Sequence, residues 1–83
     1  NNKVEELQSL VLQNKKTLDY FTLAALKEAH ALGQSALAQF RESEIDIVSF
    51  VQTLETARDI RQRYIEAVYA YNISALELEL YTE

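Results

Sequence analysis

The stretch Phe40–Phe50, FRESEIDIVSF, decides how this chain folds. It is dense in charge and stands between two arms of nearly equal length that contain no proline and a single glycine. Ser43-Glu44-Ile45-Asp46 has the form of a capping box. In that motif a hydroxyl accepts from the amide three residues on while the carboxylate reaches back. Asp46 could equally be the cap itself. Glu42, Glu44 and Asp46 crowd what would be the positive start of a second helix, and Arg41 sits at the negative end of a first. The stretch therefore predicts a turn at 41–45 between antiparallel helices.

Working outward, the first arm, about 2–40, carries Val4, Leu7, Val11, Leu18, Phe21, Ala25, Ala29, Leu32, Ala36 and Phe40 at steps of three and four. Asn14 is the one polar interruption. That spacing marks one face of a helix. Gly33 costs about 1 kcal/mol against alanine in a helix, too little to end so long a pattern. Beside Ala29 and Ala36 it suggests a close helix contact. The second arm, about 46–81, carries Phe50, Leu54, Ala57, Arg61, Tyr64, Val68, Tyr71, Ala75 and Leu78 in a 4-3-4-3 series. This is the rhythm of a coiled-coil seam. Ile65, Tyr69, Ile73, Leu76 and Leu80 make a second stripe, so this arm expects neighbours on two sides. IDIVSFV alternates locally like a strand, but its continuation into the heptads favours helix. The expected fold is all-α, a long antiparallel two-helix hairpin with coiled-coil character that packs with further helices or copies. At about 1.5 Å per residue each arm is a rod of about 55 Å.

Composition narrows the function. Eighty-three residues with a net charge of −5 and only eight Lys and Arg offer no clustered basic face for nucleic acid. Without cysteine there is no disulfide, thiolate metal site or cysteine nucleophile. His30 is the only histidine and has no convergent ligands beside it, so neither a metal site nor a cofactor is expected. Serines and threonines have only His30 as a partner base, and Glu42 and Glu44 lie on a turn where nothing would raise a carboxyl pKa. No enzymatic activity is expected. The apolar runs are too short to span a bilayer, and the lysine-poor polar faces do not suit a membrane-surface helix. The absence of methionine suggests a piece of a longer protein.

Arg61 at a seam position has two readings. Its stem packs while the guanidinium reaches water or a carboxylate such as Glu28, or it sets the register between the helices. The tyrosines at 64, 69, 71 and 81 read as amphipathic packing residues.

ALAQF (36–40), SEIDIVSFVQTLETA (43–57) and YIEAVYAYNISALELELYT (64–82) follow in an order that resembles the TolC-type outer-membrane efflux proteins. The likeness is greatest to the branch serving heavy-metal pumps of the resistance–nodulation–division class. The resemblance implies a periplasmic helical hairpin that stacks beside others into a hollow barrel. Its partners would be other hairpins or copies of itself, a periplasmic adaptor docked at the tip, and the inner-membrane pump. The parent would be an outer-membrane channel or a pump carrying a fused module. On this resemblance the tip residues Phe40, Arg41, Glu42, Ser43, Glu44, Ile45 and Asp46 contact the adaptor. Phe50, Leu54, Tyr64, Ile65, Val68, Tyr69, Tyr71 and Leu76 form the packing and oligomer faces. The pattern departs from the family where Ser43 replaces the usual turn glycine, making a left-handed backbone harder. It departs again where Phe40 and Ile45 stand in place of a tyrosine and a basic residue. A different class of function shares the seam: a cytosolic hairpin that dimerises into a four-helix bundle.

Overall fold

The computed structural model describes residues 2–83. Helix α1 (Asn2–Tyr20) passes through one π-helical turn (Phe21–Ala25) into α2 (Leu26–Arg41), and α3 (Ile47–Thr82) returns antiparallel along both. The rod measures 61 × 18 × 16 Å, close to the length that the arms imply. There are no strands among the described residues.

The seam differs from the expected one in an instructive way. On α3 the inward residues are Phe50, Thr53, Ala57, Ile60, Tyr64, Ala67, Tyr71, Ser74 and Leu78, all buried or half-buried. They keep the heptad but share only alternate members with the expected series. Leu54 is 39% exposed and Arg61 lies in solvent, so neither is a seam residue, while Val68 and Ala75 flank the seam half-buried. Arg61 therefore sets no register. The true alternate layer is Thr53, Ile60, Ala67 and Ser74, mostly short side chains that let the two backbones approach. Ser74 is buried, and its hydroxyl donates to the Tyr71 carbonyl at 2.9 Å, so burial leaves it satisfied. Asn14 does reach across, donating from Nδ2 to the Ala70 carbonyl at 3.2 Å.

The π turn has a cause that can be read from spacing. Inward residues of the first arm run Val4, Leu7, Val11, Asn14, Leu18, Phe21 and Ala25 at alternating steps of three and four. The next step, to Ala29, is four where the alternation calls for three, and Gly33, Ala36 and Phe40 then resume it. One extra residue has entered the repeat. The Leu26 amide donates to the Phe21 carbonyl, five residues back, which takes up the surplus without rotating α2 off the seam.

The core is thin. Leu7, Ala25, Ala29, Ala36, Ala57 and Ala67 are its buried apolar members, and no large side chain among the described residues is fully enclosed. Leu32 and Phe40, assigned to the inner stripe by spacing, are each 37% exposed. Gly33 is no close-contact glycine: a Cβ placed there meets nothing within 4 Å.

Candidate interaction surfaces

The tip is built by two interlocking caps. At the end of α2 the Glu44 amide donates to the Gln39 carbonyl at 2.8 Å and the Ser43 amide to the Phe40 carbonyl at 3.1 Å. This is the paired hydrogen bonding of a Schellman motif. It requires the left-handed backbone that Ser43 adopts at φ 58°, despite carrying a side chain. Ser43 therefore closes the first helix and does not cap the second. That role belongs to Asp46, whose Oδ1 accepts from the Ser49 amide at 2.8 Å. The same hydrogen bond holds the Asp46 carboxyl below its usual range. Helix α2 ends at Arg41, one residue past the expected bound of 40, and α3 starts at Ile47, one residue later than the expected 46.

Beneath the turn, Phe40 and Phe50 stack with centroids 4.6 Å apart and planes 9° from parallel. Phe40, Arg41, Glu42, Ser43, Glu44 and Asp46 are all exposed, and Ile45 is half-buried. The tip thus presents three carboxylates and one guanidinium on a backbone fixed from both sides.

The second surface is the outer side of α3. Ile65, Tyr69, Ile73, Leu76 and Leu80 fall opposite the seam at helical spacing and are all exposed, Tyr69 by 68% and Leu80 by 63%. Nearer the tip the same helix exposes Ile47, Val48, Val51 and Leu54. The run IDIVSFV held that signal, but its length could not tell an outward face from a buried one. Between the two apolar patches lie Arg58, Arg61 and Gln62. Tyr64 and Tyr71, by contrast, face inward and are half-buried. The Tyr71 ring carries the Lys15 ammonium 5.9 Å from its centroid, and Lys15 also bridges to Asp19 at 2.9 Å. A shallow groove on α2, between Glu28, Ala31, Leu32 and Ser35, is a trough on a single helix.

His30 is exposed, and no three His, Cys, Asp or Glu side chains among the described residues converge as metal ligands. No described helix is long and apolar enough to cross a membrane. Compared with known proteins, the chain matches no family model, no curated protein and no solved structure.

Proposed function

We propose that this hairpin is a non-catalytic, periplasmic packing module of a bacterial cation-efflux assembly, as its likeness to TolC-type proteins suggests. It stands beside other helices through the outer side of α3 and offers its tip to an adaptor. The observation that carries the reading is the stripe from Ile65 to Leu80: five exposed apolar side chains on the side of α3 that its own partner helix cannot reach. A rod with a thin alanine core and a second greasy face is suited to sit between neighbours. The tip supports the docking role, since its exposed charges sit on a backbone pinned by Ser43 and Asp46.

Photocrosslinking in cells from residues 42 and 44 of the parent protein tests this. A periplasmic helical adaptor captured at the tip is the expected result. Capture of cytosolic proteins alone, or of nothing at the tip, would overturn it in favour of the cytosolic four-helix bundle.

A further inference from the structure

The outer stripe of α3 has a rim, and along the half away from the tip that rim is acidic. The five apolar side chains from Ile65 to Leu80 are between 38% and 68% exposed. At about 100° per residue, Glu66 and Glu77 flank their line on one side, Glu79 flanks it on the other, and Glu83 closes its end. All four glutamates are exposed, and among the described residues none is ion-paired within the hairpin. Arg63, the one cation of this segment, falls about 120° from the line, on the side of the helix turned towards the seam. Nearer the tip the pattern changes. Arg58 stands on the line itself, seven residues before Ile65, and Arg61 stands on its flank, with Glu55 and Asp59 interspersed. The stretch with a purely acidic rim therefore begins at Ile65 and covers about 22 Å of helix to Leu80.

We infer that this stretch binds an amphipathic helix of a different protein, apolar along one face and carrying lysine or arginine on both flanks. A helix laid along the stripe covers the apolar line, which supplies most of the contact. The rim decides which helix is accepted, because like charges set against Glu66, Glu77 and Glu79 are repelled while cations are drawn in. A second copy of this chain offers no such match. Its own stripe brings the same glutamates, and on its α1 the cations Lys3, Lys15 and Lys16 are offset by Glu5, Glu6 and Asp19. An anionic lipid surface meets the same repulsion, since helices that lie on such surfaces are basic. Arg58 sets the limit of the site towards the tip, because a basic helix running past Ile65 would meet a cation on the line. The first arm packs on the seam side of α3, so the bound helix touches α3 alone and the hairpin stays intact. The inference names the occupant of the lateral stripe in the reading above, and it rests on that stripe rather than on the efflux assignment.

A pair of synthetic peptides tests it by fluorescence anisotropy. Both are fluorescein-labelled helices of about five turns with leucine along one face; one carries lysine on both flanks and its twin carries glutamate. The hairpin is expected to bind the lysine peptide one-to-one and about tenfold or more tightly than the glutamate twin. Tyr69→Ser with Leu76→Ser should abolish that binding. Reversal of the rim, Glu66→Lys with Glu77→Lys and Glu79→Lys, should exchange the preference, so that the glutamate twin binds better. Reversal at the tip, Glu42→Lys with Glu44→Lys, should leave both affinities unchanged. The stripe and rim positions are exposed and outside the seam, and circular dichroism equal to the wild type separates lost binding from lost folding. If the serine variant unfolds, the rim reversal carries the test by itself. Equal affinity for the two peptides would overturn the proposal, as would binding lost on tip reversal and kept on rim reversal. A wild-type dimer in sedimentation equilibrium that the serine variant abolishes would overturn it too, by giving the stripe to a second copy. A result against the basic helix leaves the tip crosslinking outcome untouched, and the reverse holds equally.

Discussion

Phe40 and Phe50 stack across the turn, ring over ring at 4.6 Å, so the last turn of α2 and the first turn of α3 are joined by side chains as well as by backbone. The residues between them need only complete two caps. Offset-stacked aromatic pairs contribute about 0.5–1.5 kcal/mol beyond their buried area. A double-mutant cycle with Phe40→Leu and Phe50→Leu should therefore give a coupling of about 1 kcal/mol in urea denaturation. Coupling indistinguishable from zero would mean that the rings act independently.

Ser43 holds a left-handed conformation that costs a residue with a Cβ about 1–2 kcal/mol. Ser43→Gly is expected to stabilise the hairpin by about 1 kcal/mol, and Ser43→Val to destabilise it by at least as much. The two midpoints of denaturation should move in opposite directions from the wild type.

Gly33 lies mid-helix with open space where a Cβ would go. Gly33→Ala should gain about 1 kcal/mol from helix propensity alone. A loss of stability would show that the helices approach more closely there than the structure has them.

The π turn makes a prediction about chain length. Deleting Thr22 removes the surplus residue: Leu26, already half-buried, then takes the seam place of Ala25, and the alternation of three and four runs unbroken through Phe40. Stability should be unchanged or higher, with helicity by circular dichroism retained. Inserting one alanine after Thr22 adds a second surplus residue. It should cost about 2 kcal/mol or more, because the inward face of one arm is rotated out of register with α3.

Asp46 couples the turn to pH. Its carboxyl titrates lower in the folded chain than in the unfolded one because the ionised form accepts the Ser49 amide. A lowered folded pKa means that the unfolded chain takes up the proton first. The contribution is complete above the ordinary aspartate range and disappears as pH falls through the folded value. Melting temperature should drop between pH 5 and pH 2, and the drop should be smaller in Asp46→Asn, which keeps an acceptor but no charge.

How much could be read in advance varies with position. The two helices and the turn were legible because periodicity runs through the whole of each arm and the charges reverse between them. The outer stripe was legible for the same reason, since Ile65, Tyr69, Ile73, Leu76 and Leu80 recur on one face. Ser43 was legible only through the resemblance, which sets a turn glycine there: the serine argued against a positive φ, yet the chain adopts one in the short connection between Arg41 and Ile47. The π turn left a trace, the extended step from Ala25 to Ala29, which an apolar pattern tolerant of threes and fours absorbs unnoticed.

By itself, the sequence determined that the chain is helical, where it doubles back and that α3 has two faces to cover, because these depend only on local spacing and capping. Which residues meet inside was decided by the tertiary structure. Phe50, Ala57, Tyr64, Tyr71 and Leu78 fit two heptad readings that differ in their alternate layer, and the larger side chains Leu54 and Val68 favoured one. The folded chain takes the other, whose layer of Thr53, Ile60, Ala67 and Ser74 includes the short buried side chains Ala67 and Ser74, which let the helices come together.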